Sequence, residues 1–142
     1  MYKYKYTEQD EDLVEDFIER SIKNHIRERR SDSELREDIR IGKLGEIAYW
    51  NYANPDCGDI DWSGRPQDQG ADFTHTNGIK IQVKTIRSDA KWSSFYNWNF
   101  DRLVIFREDR GILTLLKDLE VEEVKSISRK SNWKGWYIDP FC

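Results

Sequence analysis

The sequence has 142 residues, of which 35% are charged and 37% hydrophobic, so we expect one domain with a single core and a highly charged surface. The net charge of −4 argues against a protein that coats DNA through bulk charge, but a DNA enzyme with its basic residues on one face remains compatible. No apolar run approaches the ~20 residues of a membrane span, and no signal peptide is evident, so we expect a cytoplasmic protein without membrane contact. Cys57 and Cys142 show neither zinc spacing nor a disulfide framework and are expected to be free thiols.

A first helix is predicted over residues 7–30. Thr7 is a suitable N-cap, and the acids that follow it suit the positive end of the helix dipole. The predicted buried stripe is Leu13, Phe17, Ile18, Ile22 and Ile26. Basic residues close the helix and either complement its dipole or contact phosphate: Arg27, Arg29 and Arg30.

A second helix is predicted over residues 34–53, after a new cap at Ser31 to Ser33. Its expected buried side is Leu35, Ile39, Leu44, Ile47, Ala48 and Trp50 or Tyr52. Gly42 and Gly45 each cost a helix interior up to ~1 kcal/mol relative to Ala, so their presence indicates close backbone approach to another element. Glu46 follows Gly45 directly.

Residues 54–70 have no periodicity and read as a long loop, which is more often functional than not when it leads to an acid-bearing strand. The loop carries four extra carboxylates, each either solvated or a further metal ligand: Asp56, Asp59, Asp61 and Asp68.

A hairpin over residues 70–86 follows, because Asn77-Gly78 between alternating residues is a strong turn signal. A two-residue turn would mix polar and apolar residues on both faces. A three-residue loop, 76–78, instead sets Phe73 opposite Ile81 and Asp72 opposite Gln82, with Gly78 left-handed. We therefore predict the three-residue loop.

The three-residue loop separates the two faces of the hairpin cleanly. One face becomes apolar, with Phe73, Ile79, Ile81 and Val83. The other gathers Asp72, Thr74, Lys80, Gln82 and Lys84. His75 falls on the apolar side near the tip and is expected to be structural or at the surface.

The remaining third of the chain is rich in aromatic residues. Residues 87–100 form either a loop or an irregular strand, whose aromatic rings either stack on bases or cover the core: Trp92, Tyr96 and Trp98. Strands are predicted over 103–106 and 112–116, with a turn at 108–111. A helix over 118–129 and a last strand within 133–141 complete the prediction.

The polar face of the hairpin suits phosphodiester hydrolysis assisted by a divalent metal. Magnesium prefers oxygen ligands and keeps several waters, and the candidate ligands are the Asp72 carboxylate, the Gln82 amide oxygen, the Val83 carbonyl and Glu46. Lys84 can stabilise negative charge on phosphate or act on the attacking water. No Ser/His or Cys/His pair for acyl transfer is evident.

Three segments carry a family resemblance: residues 42–48 (GKLGEIA), 70–73 (GADF) and 81–84 (IQVK). In this order they resemble the PD-(D/E)XK nuclease superfamily, and within it the Gln-x-Lys branches such as Mrr-like restriction nucleases. The resemblance implies a single α/β domain of restriction-endonuclease-like fold, with a mixed central sheet flanked by helices. The helical part would span 7–53 and the sheet core would start at about residue 71.

The resemblance also implies an activity, namely Mg²⁺-dependent DNA endonuclease cleavage in restriction, recombination or phage DNA processing. Mn²⁺ is expected to substitute for Mg²⁺, and the host cell would be prokaryotic. The implied catalytic residues are Glu46, Asp72, Gln82 and Lys84. The expected DNA contacts are Lys43, Arg87, Lys91, Trp92, Tyr96 and Trp98. A homodimer would allow both strands to be cut.

The sequence departs from the family pattern at two positions. Ala71 stands where a Pro commonly precedes the acid, and Gln82 replaces the usual Glu or Asp. Gln82 brings no charge to the metal site. The alternative to a nuclease is therefore a catalytically inactive module on the same fold that binds DNA or protein. A third reading is an interaction module whose acidic first helix docks a basic partner.

Overall fold

A computed structural model describes residues 1–25, 31–54, 59–63, 71–132 and 135–142. The fold is built on a five-stranded mixed sheet. Its strands are β1 (Lys3–Lys5), β2 (Phe73–Thr74), β3 (Lys80–Arg87), β5 (Arg102–Asp109) and β6 (Ile112–Glu120), in the spatial order β1-β6-β5-β3-β2. β3 and β5 are parallel and all other neighbours are antiparallel. Several residues with predicted roles lie outside the described segments: Ile26, Arg27, Arg29, Arg30, Asp56, Cys57, Asp68 and Gly70.

Two helices cover one face of this sheet, α1 (Glu8–Ser21) with a 3-10 turn at Ile22–His25, and α2 (Asp32–Ala53). Both predicted caps are confirmed, since Thr7 forms a capping box with Asp10 and Ser31 accepts from the Glu34 N–H. The stripe predicted for α1 is wrong at Leu13 and confirmed at Ile18, and Ile22 packs against the core. Leu13 is 45% exposed, and the buried residues are Val14, Ile18 and Ser21.

The other face of the sheet is covered by a second, three-stranded sheet and a short helix. The second sheet contains β4 (Ser93–Phe95), β8 (Trp136–Ile138) and β7 (Arg129–Lys130), and the helix is α3 (Val121–Ile127). The main sheet thus separates two buried clusters. The helical side contains Leu44, Ile47, Tyr49, Phe73, Ile81, Val83, Val104 and Phe106, among others. The second side contains Phe95, Phe100, Leu103, Ile105, Val124 and Ile138.

The protein is therefore a mixed α/β domain, and several predicted boundaries need correction. The sheet begins at β1 and not near residue 71, because β1 pairs with β6 from Lys3 opposite Thr114 to Lys5 opposite Ile112. The helix predicted over 118–129 begins only at Val121, because residues up to Glu120 remain paired with β5. In α2, Trp50 is 40% exposed, so of the two predicted alternatives Tyr52 is the one that packs against the core, and Tyr49 is buried as well. No described helix is long and apolar enough to cross a membrane.

Gly45 brings α2 into close contact with β3, as its sequence context predicts. A Cβ at position 45 would overlap the side-chain oxygen of Thr85, whereas a Cβ at Gly42 would meet nothing within 4 Å. The approach therefore needs glycine at 45 and not at 42, so the prediction is confirmed only for Gly45. The residue after Gly45 is Glu46, so the same contact sets the distance of this carboxylate from the sheet.

Substitution of these two glycines tests the contact. Gly45→Ala should lower the free energy of unfolding by about 1–3 kcal/mol, because the added methyl group forces α2 or Thr85 to move. The control, Gly42→Ala, should be neutral or stabilising by up to ~1 kcal/mol, because alanine favours a helix. Urea denaturation measures both, and equal stability of the two variants would contradict the close approach.

Candidate active site

The register of the β2–β3 hairpin places the candidate site. Phe73 pairs with Ile81 and Thr74 with Lys80, as the three-residue loop predicts. The His75 N–H donates to the Ile79 carbonyl at 2.9 Å, and Gly78 has a φ of 88°. Both predicted features, the pairing and the left-handed glycine, are confirmed. Ile79 is an exception on the predicted apolar face, since it is 37% exposed at the hairpin tip.

Asp72 is held at the start of the hairpin by two hydrogen bonds to one carboxylate oxygen. Its Oδ2 accepts from the Val83 backbone N–H at 2.8 Å and from Gln82 Nε2 at 3.1 Å. The predicted meeting of Asp72 and Gln82 is therefore confirmed. Because the N–H and C=O of one residue in an extended strand point to the same side, the Val83 carbonyl also faces this edge of β3.

Lys84 lies two residues beyond Gln82 on the same face of β3. Gln82 is paired with Leu103 and Lys84 with Ile105, so both point to the side of the sheet that carries the second buried cluster. Burial lowers the pKa of the Lys84 ammonium, while the charge of Asp72 acts in the opposite direction. The lysine is thus partly desolvated beside a carboxylate. A group that acts on phosphate or on water requires such an environment.

Glu46 comes from α2, where the contact at Gly45 brings the helix against β3. Its side chain is only 12% exposed, and its Oε1 accepts from Lys43 Nζ at 3.1 Å. Burial raises the pKa of Glu46 to about 8, and the charge of Asp72 adds to this, while Lys43 opposes it. Burial likewise raises the pKa of Asp72 to about 6, against the Val83 hydrogen bond and the charges of Lys84 and Lys43.

Lys43 is a member of the site that the sequence prediction placed wrongly. It was expected to contact DNA, but it is 4% exposed, and its Nζ donates to the Asp61 carbonyl at 2.7 Å as well as to Glu46. The ammonium also lies 4.1 Å from the ring centre of Phe17 and 5.5 Å from that of Trp62. Lys43 therefore acts as a buried partner of Glu46, and the i, i+3 spacing of the two residues is the signal that could have predicted it.

The other predicted DNA contacts differ in their exposure. Lys91 is exposed, and Trp92 and Tyr96 are 51% and 66% exposed, so all three are accessible. Arg87 is about half-exposed and paired with Asp38. Trp98 is not a surface platform, because it packs into the second cluster with Phe95, Phe100 and Trp136.

The donor set fits a hard cation in its chemistry. Two buried carboxylates with raised pKa values, Glu46 and Asp72, lie within electrostatic reach of each other, and a divalent ion would offset their repulsion. Among the described residues, no group of three or more His, Cys, Asp or Glu side chains is arranged to hold a metal. The Gln82 amide oxygen and the Val83 carbonyl oxygen are neutral donors and do not belong to His, Cys, Asp or Glu side chains. They are the groups that would complete the coordination of a divalent cation.

Of the loop acids, Asp59 is exposed, and Asp61 meets Lys43 through its backbone carbonyl. His75 is not part of the site, since its Nε2 is hydrogen-bonded to the Tyr49 hydroxyl at 2.8 Å.

Comparison of the sequence with protein-family models and with curated proteins finds no match.

The raised pKa values predict a pH dependence of stability in the absence of divalent metal. An unfolded glutamate loses its proton near 4.5, and folded Glu46 near 8, so between these values the folded state holds the extra proton. Stability should therefore fall as the pH rises, by about 1–3 kcal/mol between about pH 5 and about pH 8. Glu46→Gln keeps an acceptor for Lys43 but cannot ionise, and should show a clearly smaller fall.

Urea denaturation in EDTA at the two pH values measures this difference. The remaining slope in Glu46→Gln would come mainly from Asp72, whose pKa is shifted in the same direction. Equal pH dependence of the wild type and the variant would show that Glu46 is ionised throughout and that Lys43 compensates it fully.

Proposed function

We propose that this protein is a Mg²⁺-dependent deoxyribonuclease that cleaves phosphodiester bonds within DNA, and that Mn²⁺ can replace Mg²⁺. The observation that carries the proposal is the cluster at the open edge of β3. Asp72 is fixed there by the Val83 N–H, with Gln82 and Lys84 on one face and Glu46 arriving from α2. This is the combination of carboxylate, neutral oxygen and ammonium that metal-assisted phosphodiester hydrolysis uses.

Asp72, the Val83 carbonyl, the Gln82 amide oxygen and Glu46 would hold the metal, which supplies Lewis-acid polarisation of phosphate and water when bound. The Val83 N–H and Gln82 Nε2 orient the Asp72 carboxylate. Lys84, with its lowered pKa, either donates to the phosphoryl oxygen on which charge develops or accepts a proton from the attacking water. Burial of the cluster strengthens each of these interactions by excluding water.

The restriction-endonuclease-like fold is part of the same proposal. Its support is the mixed sheet with helices on one face, the glutamate on the helix that packs against β3, the acid just before β2, and Gln-x-Lys on the adjacent strand β3. A homodimer would provide two such sites and allow cleavage of both strands.

A second candidate is a DNA- or protein-binding module on the same fold without catalysis. Two contacts favour it. Lys43 already supplies a cation to Glu46, and the Gln82 amide group donates to Asp72, so part of the negative charge is satisfied within the chain. A metal-dependent cleavage assay separates the two candidates.

Loss of the central groups should abolish cleavage. Asp72→Asn and Lys84→Met should each reduce Mg²⁺-dependent nicking of supercoiled DNA by at least ~100-fold, because a metal ligand or the transition-state cation is removed. The matched control is Lys80→Ala, an exposed lysine on the same face of β3, which should keep wild-type activity. Cleavage that persists in Asp72→Asn and Lys84→Met would refute the site.

Restoration of the acid at position 82 gives an independent prediction. In Gln82→Glu the donor to Asp72 is lost and a third carboxylate is added, so stability in EDTA should fall. The added charge should tighten Mg²⁺ binding, by roughly ten-fold, whereas Gln82→Leu should weaken it. Isothermal titration calorimetry measures both, and unchanged Mg²⁺ affinity in both variants would show that residue 82 does not face the metal.

A further inference from the structure

The outward face of the second sheet presents a row of side chains that the candidate active site does not use. Ser94 in β4 pairs with Tyr137 in β8, and Tyr137 pairs with Arg129 in β7, so the three lie side by side on one face. Trp92 and Tyr96 alternate with Ser94 along the chain and join this face, while Ser93 and Phe95 point into the core.

We call Trp92, Tyr96, Tyr137 and Arg129 the aromatic platform. Its rings are held by contacts behind and beside them. Trp92 meets Tyr137 edge to face, with ring centres 5.3 Å apart. Tyr96 lies over Gly135, where a Cβ would come within 2.9 Å of its ring. Rings positioned in this way lose little freedom when a flat ligand stacks on them.

The charges on this face favour an anionic partner. Arg129 and Lys91, the residue before Trp92, are both exposed, and among the described residues neither has an acid within salt-bridge distance. The charge of Arg129 does reach Asp139, whose pKa is lowered by its hydrogen bond with Cys142 and in smaller part by Arg129. The nearby acid, Asp139, already accepts hydrogen bonds from the Phe141 N–H and from Cys142 Sγ. The hollow between Trp92, Tyr137 and Arg129 is about 210 Å³, below the ~300 Å³ of an enclosing small-molecule pocket. The surface therefore suits stacking on an open face and not enclosure of a compact ligand.

We propose that the aromatic platform binds the bases of single-stranded DNA, an inference that rests on the proposed function. Every base has a π-face. Proteins bind single strands without sequence preference by stacking the bases on aromatic rings, with an arginine beside the rings. A duplex hides these base faces. In a chain of net charge −4, stacking also supplies affinity that bulk charge does not.

The platform lies on the same side of the main sheet as Gln82 and Lys84. Trp92 lies eight residues after Lys84, so their Cα atoms are at most about 28 Å apart. The second sheet also covers the side of the main sheet toward which Gln82 and Lys84 point. The preferred substrate class is then DNA with a single-stranded segment, such as a frayed end, a flap or a branch, and not uninterrupted duplex.

Fluorescence anisotropy of a short labelled oligothymidylate in EDTA tests the platform with the full chain and without cleavage. The double variant Trp92→Ala/Tyr96→Ala should bind roughly ten-fold or more weakly than the wild type. Trp92→Phe/Tyr96→Phe keeps both rings and should retain most of the affinity. Trp50→Ala is the matched control, because Trp50 is 40% exposed on α2, across the main sheet. The wild type should bind a duplex of the same length more weakly than the single strand.

Three outcomes are decisive. Equal affinity of the double alanine variant and Trp50→Ala for the single strand would overturn the platform, whether or not the protein cleaves DNA. An equal loss of duplex and single-strand binding would also overturn it, because stacking requires exposed base faces. Ring-dependent binding of the single strand, together with no cleavage of any DNA in Mg²⁺, would support the platform and refute the proposed nuclease activity.

Discussion

The hydrogen bond from the Val83 N–H to the Asp72 carboxylate is the contact on which the candidate site depends. It exists only because the hairpin closes with a three-residue loop, which pairs Phe73 with Ile81. A slip of one residue would turn one strand over and send its polar side chains into the buried cluster under α2. The apolar face of the hairpin thus stabilises the geometry of its polar face, and core packing and site geometry are set by the same register.

A second contact brings the helix to the sheet, and it has an energetic cost. Gly45 allows α2 to rest on Thr85, whose side-chain oxygen is buried without a hydrogen-bond partner among the described residues. Glu46 is thereby buried near Asp72, and burial raises the pKa of both carboxyls. Two buried acids and a desolvated Lys84 destabilise the domain when no metal is bound. Clusters of this kind are found more often at functional sites than at positions selected for packing alone. Lys43, held by Phe17 and the Asp61 carbonyl, offsets part of this cost.

The sequence predicted the parts of the fold that depend on local patterns. Two-residue alternation and the glycine at 78 specify the hairpin, and short polar residues specify both helix caps. It failed where distant contacts decide. β1 alternates Tyr and Lys and becomes a strand only because the edge of β6 is available. Residues 118–120 have a helical stripe but remain in β6 because β5 extends opposite them. Lys43 and Trp98 carry side chains typical of DNA contacts, and only the tertiary packing shows that both are occupied within the protein.

The central claim is that a divalent cation binds at the open edge of β3 between the Asp72 carboxylate and the Val83 carbonyl. Anomalous diffraction from crystals soaked in Mn²⁺ locates such an ion directly. The account predicts one strong manganese peak in contact with Asp72 and the Val83 carbonyl oxygen, with Glu46 or Gln82 completing the protein ligands. Crystals saturated with Mn²⁺ that show no peak at this edge, and that retain the Asp72–Val83 hydrogen bond unchanged, would contradict it.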